Sequence, residues 1–397
     1  MFYDPKLFEY LVPIMEGSGY ISFVGERIKK MGATKVIIVH DKNLKELGIV
    51  DKVTDSLEAA GIKWVSFDKV LPNPHDQLCE EGSALAHKEK VDGIIGIGGG
   101  SAIDTAKGID LLMNNPPPLS RYFGQITGRA GDIQPEPGVA FIAIPTTSGT
   151  GSEMTGMGTI TMDGGKGEKR AIWPKLTHSK RLALIDPDIL TGMPYGLTVS
   201  TGMDAMAHAI EAMTNLIQGP MGDSFAMEAI RTIVKWLPVA AKEPTNLKAR
   251  TKMAHAAALA GVAFTNCGLH IGHSAAEIIG AVYHQVPHGN CCAAVLPATV
   301  EFAAKDKPEK IQMIAEAMGV EIPEGTSDEA AGRMVGDAIR DMNKKLGVKK
   351  VSDFGVTYEG LVTDEIAERI RTNPSSKTCP HPPTIEEIKA LLADSLK

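Results

Sequence analysis

Between Ser200 and Pro297 the chain gathers side chains suited to holding a metal ion. Asp204 and His208 stand four residues apart in Thr201-Gly-Met-Asp-Ala-Met-Ala-His208. On a helix that spacing puts a carboxylate and an imidazole on one face, one turn apart. Further on, His270-Ile-Gly-His273 and Pro287-His288-Gly289 supply three more imidazoles, with His255 and His284 nearby. One carboxylate and three imidazoles make a ligand set for a divalent ion such as Fe²⁺ or Zn²⁺. Asp204 sits among Met, Ala and Ile, where an ionised group is costly to bury without a partner or a ligand. Singly, each histidine also suits a buried ring bonded to a backbone carbonyl. Asp204, His208, His273 and His288 together, on apolar segments, point to a metal. His270 and His284 suit a supporting, substrate-facing or structural place, and His255 a helix surface or core.

A second set of reactive residue types sits at the ends of short apolar runs in the first half. Lys35–Val39 reads as a buried strand followed by Asp41. Residues 61–67 read as a second strand, and 93–97 as a third that ends in Gly98-Gly99-Gly100-Ser101. Residues 139–144 read as a fourth, running into Pro145-Thr-Thr-Ser-Gly-Thr-Gly-Ser-Glu153. Helical composition separates them at 76–90 and 102–113. Strands alternating with helices imply a parallel sheet with crossover helices. In such sheets ligands bind beyond the carboxyl ends of the strands. The glycines permit close backbone approach, and Ser101 is placed to cap a helix whose N-terminus favours a phosphate. Asp41 is placed to accept from a ribose diol and to repel a 2′-phosphate, which favours NAD over NADP. The same residues have plainer readings: a Gly-Gly-Gly-Ser turn, an Asp helix cap, and Thr146, Thr147 and Thr150 satisfying a loop. The G-x-G-x-x-G pattern is not clean, since Ser101 takes its last place. Leu71-Pro-Asn-Pro74 is a turn, because neither proline suits a helix interior or a central strand; it holds Asn73 rigidly.

After Asp186 the pattern turns helical, with 3.6-type spacing over 198–215, 223–236, 246–263 and 328–346. The 397 residues exceed one ordinary core. Two domains are expected, residues 1–188 and 189–397, parting in the Pro- and Gly-interrupted stretch 186–198. Thr384-Ile-Glu-Glu387 reads as a capping box opening a last helix. A formal charge of −7 argues against nucleic acid or an anionic membrane as partner. Five irregularly spaced cysteines suggest a reducing compartment. Residues 1–14 carry Asp4, Lys6 and Glu9 and so form no apolar leader. No run nears the ~20 apolar residues a membrane span needs. The expected location is the cytoplasm.

In order and spacing, Gly98-Gly-Gly-Ser-Ala-Ile-Asp-Thr-Ala-Lys107, Pro145 to Glu153, Asp186-Pro187, Thr201 to Glu211, Pro287-His-Gly289 and Leu296-Pro297 carry a resemblance. Over nearly its whole length the chain resembles the iron-containing (group III) alcohol dehydrogenases, of dehydroquinate-synthase-like fold. The resemblance implies a Rossmann-like α/β N-terminal domain and an all-α C-terminal domain, with the active site in the cleft between them. It implies metal ligands at Asp204, His208, His273 and His288, with Fe²⁺ expected and Zn²⁺ the alternative. It implies NAD contacts at Asp41, Asn73, Gly98, Gly99, Gly100, Ser101, Thr146, Thr147, Thr150, Thr155 and a lysine, Lys169, with Lys166 competing for that place. It implies hydride transfer between NAD(H) and a small primary alcohol, diol or hydroxy-acid-type substrate, the metal polarising the substrate oxygen, in a homodimer or higher homo-oligomer.

Two departures from the family pattern stand out. Glu277 replaces a second histidine in His273-Ser-Ala-Ala-Glu277, adding a carboxylate for proton relay, metal or substrate contact, or mere solvation. The stretch 280–288 is one residue longer than the family pattern; counting back from His288 would land on Ser274, so the extra residue is placed in loop 281–286, which keeps His273 as the ligand with His270 as the alternative. The alternatives are a polyol or phosphosugar-type dehydrogenase or lyase, and a non-catalytic metal- or nucleotide-binding scaffold. Residues 254–300 contain no Lys or Arg to bind a phosphate or carboxylate, which favours a small neutral substrate.

Overall fold

The structure is a computed structural model that describes residue 8 and residues 12–124, 138–172 and 180–397. Of the 1–14 stretch, residues 1–7 and 9–11 lie outside the described residues. The chain forms two compact units. One spans Tyr10–Thr147 and Ser152–Thr191; the other holds Gly192–Lys397 together with the short piece Ser148–Gly151.

In the first unit, strands β1 (Ile14–Glu16), β2 (Lys35–Val39), β3 (Lys63–Phe67), β4 (Gly93–Gly98), β6 (Ala140–Pro145) and β9 (Arg181–Ile185) form one sheet. Every pairing in it is parallel, in the order β1-β9-β6-β4-β2-β3. Helices α1 (Val24–Lys30), α2 (Lys42–Glu46), α3 (Ile49–Ala60), α4 (Asp76–Lys88) and α5 (Gly100–Met113) connect and cover it. The central strands are apolar throughout because both faces are buried. Val36, Ile38, Ile95, Ile97, Ile142 and Ile144 pack into one core. Their strand neighbours Ile37, Val39, Ile94, Phe141 and Ala143 pack into the other. That alternation is the two-residue period of a strand.

The short strands β5 (Phe123–Gly124), β7 (Gly158–Thr161) and β8 (Lys169–Ile172) form a second, antiparallel sheet in the order β5-β8-β7. The sequence reading contained none of these three. Their turn uses Asp163, Gly164 and Gly165 at positive φ, which suits a hairpin reversal. It also lacked β1 and β9.

Among the described residues from 192 onward every regular element is helical. The helices are α6 (Tyr195–Thr214), α7 (Pro220–Lys242), α8 (Leu247–Cys267), α9 (Ile271–Val282), α10 (His288–Ala303), α11 (Pro308–Met318), α12 (Asp328–Lys345), α13 (Tyr358–Leu361), α14 (Asp364–Thr372) and α15 (Ile385–Asp394). The expected capping box is present: Thr384 and Glu387 each accept the other's backbone N–H at the start of α15. Helices α9 and α10 were not read from sequence.

A buried ion pair locks the first unit. Asp110 on α5 meets Arg181 on β9 at 2.7 Å, and the backbone N–H of Val139 donates to the same carboxylate. Burial pushes the Asp110 carboxyl up, against the pull of the guanidinium. Removing one partner strands the other charge in the core. Asp110→Ala should therefore cost about 3–5 kcal/mol, read as a lower urea midpoint, with Asp110→Ala/Arg181→Met recovering part of it. An unchanged midpoint for the single variant would remove this lock from the fold's account.

Candidate active site

The helical unit carries a polar cluster in an apolar surrounding. Asp204, His208 and Glu211 lie on one stripe of α6 and all are buried. His273 is on the first turn of α9, and α10 opens with His288 behind Pro287 at the N-cap. Gly289 lets the start of α10 lie against α6, since a Cβ there would sit 2.1 Å from the Ser200 carbonyl oxygen. The fully buried Arg250 of α8 fixes the start of α6. Its guanidinium donates to the Thr198 hydroxyl at 2.8 Å and to the carbonyls of Met193 and Pro244 at 3.0 and 2.9 Å.

Three imidazole nitrogens converge on one carboxylate oxygen. The Nε2 atoms of His273, His288 and His208 lie 3.6, 3.7 and 4.0 Å from Asp204 Oδ1. Those separations are too long for hydrogen bonds, and Oδ1 is buried without one. Burial pushes the Asp204 carboxyl up, but the surrounding rings of His208, His273 and His288 hold it below the usual carboxylate range. An ionised, orphaned oxygen ringed by imidazole nitrogens fits a divalent cation.

Glu211 prepares one of those rings. Against the upward push of burial, the neighbouring His273 and His270 bring its pKa to about 2. It accepts His273 Nδ1–H at 2.6 Å and the backbone N–H groups of His270 and His273 at 2.7 and 3.3 Å. Bonded through Nδ1–H to Glu211, His273 has its Nε2 directed towards Asp204, the atom it can offer to an ion. Sequence reasoning assigned Glu211 no role. Its signal was there, a carboxylate seven residues after Asp204 on the same apolar stripe and subject to the same burial cost.

The other candidates fall around this group. His270 is committed elsewhere: the Thr214 hydroxyl donates to the Ile210 carbonyl, so His270 Nε2–H donates to Thr214 at 2.8 Å. Burial lowers the pKa of both His208 and His270 to about 4. The His208 ring stacks on Phe264 at 4.3 Å and on His273 at 4.4 Å. Glu277 is half-buried, one turn beyond His273, and accepts the Asn373 side-chain amide at 3.0 Å. One residue was not singled out from sequence. Cys292, four residues after His288, places Sγ 3.5 Å from His288 Nε2 and 3.8 Å from His273 Nε2. Asp204, His273, His288 and Cys292 each offer a donor atom within 4.8 Å of the others.

In the α/β unit, β3, β2, β4 and β6 are consecutive neighbours, so their carboxyl ends align. Asp41 caps α2, accepting the Leu44 N–H at 3.2 Å. Gly98 has φ +149°, and a Cβ there would strike the Ala102 methyl at 2.6 Å. Thr146 N–H donates to the Gly98 carbonyl at 2.9 Å, and Thr147 packs beside Gly99. Gly99, not Ser101, takes the N-cap of α5, with no side chain closing it. Ser101 is the second residue of the helix, so the expected capping by its hydroxyl is corrected. Gly100 and Ser101 thus begin an uncapped helix N-terminus at the sheet edge.

Asn73, after β3, adopts φ +55°. Thr150 belongs with the helical unit. The buried Thr155 hydroxyl is occupied, accepting from Lys107 Nζ at 2.8 Å and lying 2.9 Å from the Met157 carbonyl. Lys169 is half-buried at the start of β8. Asp41, Gly98 to Ser101, Thr146 and Thr147 are thus gathered on one edge, with Thr155 beneath it.

Sequence models place the chain among known proteins. That of the iron-containing alcohol dehydrogenases matches residues 13–187, and that of the C-terminal part of the Fe-containing alcohol dehydrogenase family matches residues 198–396. The chain is 34% identical to the NAD-dependent methanol dehydrogenase of Bacillus methanolicus, over 96% of this chain and 97% of that protein. It is 36% identical to the 1,3-propanediol dehydrogenase of Citrobacter freundii, over 88% and 89%. The crystal structure of a 1,3-propanediol oxidoreductase superposes with a TM-score of 0.90 at 34% identity, covering 98% of this chain and all of that one.

The Glu211 carboxylate should set metal affinity without touching the ion. Glu211→Gln keeps the side-chain shape but loses the charge that fixes the His273 tautomer. Its affinity for an added divalent ion should fall roughly 10–100-fold in a titration of metal-free protein. Affinity equal to wild type would show that the pair does not prepare the ring.

Proposed function

We infer that this chain, which belongs to the iron-containing alcohol dehydrogenase family, interconverts a small primary alcohol, diol or hydroxy-acid-type substrate and its carbonyl product with NAD(H). It is an alcohol oxidoreductase. The observation that carries the metal reading is the buried, unbonded Oδ1 of Asp204 ringed by the Nε2 atoms of His273, His288 and His208. We assign Asp204, His208, His273 and His288 to the ion, Fe²⁺ as the family name implies, with Zn²⁺ compatible with the same donors.

When bound, the ion supplies Lewis acidity at the substrate oxygen and NAD the hydride acceptor. The chain's own residues orient and desolvate. Glu211 holds the His273 tautomer, Arg250 steadies α6, and the apolar helices exclude water. On the sheet edge, Gly98 to Ser101 offer close backbone approach and open N–H groups to the pyrophosphate, with Thr146 and Thr147 beside them. Asp41 would accept from the adenosine ribose while repelling a 2′-phosphate. The absence of Lys and Arg over 254–300 favours the neutral alcohols and diols of the substrate set over a hydroxy acid.

Among the described residues no helix is long and apolar enough to cross a membrane. None of the five cysteines forms a disulfide, in keeping with a reducing compartment. We place the enzyme in the cytoplasm as a homodimer or higher homo-oligomer.

The purified protein should oxidise NADH with short aldehydes, lose that activity to a strong chelator, and regain it with Fe²⁺ or Zn²⁺. Bound metal with no turnover across a panel of aldehydes and alcohols would favour a non-catalytic scaffold. Asp41→Ala should narrow the NAD-over-NADP preference in kcat/KM at least tenfold; an unchanged ratio would remove Asp41 from cofactor selection.

A further inference from the structure

We propose that Cys292 is a ligand of the bound ion, its Sγ joining Asp204, His273 and His288. This rests on the metal-dependent reading above and adds a sulfur donor to it. His288 and Cys292 are four residues apart on α10, hence on one face. Cys292 is 1% exposed, so its thiol faces the cluster and not solvent.

The distances match a shared ion. A tetrahedral shell with metal–N and metal–O near 2.0–2.2 Å and metal–S near 2.3 Å places adjacent donors about 3.3–3.7 Å apart. Sγ lies 3.5 Å from His288 Nε2 and 3.8 Å from His273 Nε2, while Asp204 Oδ1 lies 3.7 and 3.6 Å from the same two nitrogens. The sulfur is therefore as well placed as the carboxylate. His208, its Nε2 4.0 Å from Oδ1 and its ring stacked on Phe264 and His273, stays in the ligand set, and the sulfur adds to it.

A neutral thiol explains the arrangement less well. It carries one proton, donates to one ring at a time and does nothing for the orphaned Asp204 oxygen. A cation answers the Asp204 oxygen and the sulfur together. On binding, the thiol releases its proton to solvent and the thiolate donates a lone pair to the ion; nothing is oxidised or reduced. Asp204 and Cys292 then supply two negative charges to a doubly charged cation. A soft donor should also favour Zn²⁺ and Co²⁺ over Mn²⁺ and Mg²⁺.

The test uses full-length protein stripped of metal and reloaded. With Co²⁺, wild type should show an intense near-ultraviolet sulfur-to-cobalt charge-transfer band. With Zn²⁺, X-ray absorption should show a sulfur shell near ~2.3 Å. Both should vanish in Cys292→Ser and persist in Cys291→Ser, and the Kd for Zn²⁺ should rise at least ~10-fold in Cys292→Ser. Wild type that binds Co²⁺ or Zn²⁺ through nitrogen and oxygen alone overturns the sulfur ligand and leaves the proposed function standing. Wild type that binds none of these ions overturns both. The wild-type spectra decide the matter even if Cys292→Ser fails to fold.

Discussion

Two carboxylates have been taken out of water on one apolar helix, and the helical unit is arranged around the cost. Burying an ionised carboxylate without compensation costs several kcal/mol. Glu211 is compensated by three N–H donors. Asp204 Oδ1 has no hydrogen bond and is answered only by nearby imidazoles. The helices therefore converge on a charge that the protein's own hydrogen bonds leave uncompensated. Because the surroundings are apolar, an ion placed there interacts far more strongly than it would in water.

The α/β unit solves a different problem. Its central sheet is buried on both faces, which leaves the strand ends as the places for binding groups. The loop after β6 is held from below by Lys107. Its Nζ reaches the Ser152 carbonyl and hydroxyl, the Thr155 hydroxyl and the Met157 carbonyl at 2.5–2.9 Å. Burial lowers the Lys107 pKa to about 8, and Asp104 at 3.4 Å pulls the other way. One lysine thus spends its hydrogen-bonding capacity on loop shape, and Thr155 is drawn into that support.

What could be read without the structure follows from how local each signal is. The central strands announce themselves because burial on both faces makes them continuously apolar, as in Lys35–Val39 and Ala140–Pro145. The strands β7 and β8 are four residues each and largely polar or small, so their pairing depends on the hairpin between them. Strand β1 has three residues and exists only through its pairing with β9. Helix α9 is only 12 residues long and includes Gly272 and Gly280, and glycine weakens the helical signal in sequence. In the site, Asp204 and His208 were legible from their spacing. Glu211 and Cys292 were equally well spaced, but a buried Glu or Cys matters only once one knows which face looks inward.

Three helices each present a pair of candidate donors four residues apart: Asp204 and His208, His273 and Glu277, His288 and Cys292. In each pair the first member reaches the centre. The second starts about 6 Å further along its helix axis and must lean back towards the N-terminus, as helical side chains do. What it meets on the way decides its place. His208 has the flat face of Phe264 to stack on. Glu277 is met by the Asn373 amide. Cys292 is short and lies against α10's own first turn, so its sulfur stays with the His288 and His273 nitrogens. The same spacing thus yields a ring steadied by stacking, a carboxylate turned aside and a sulfur kept beside the imidazoles.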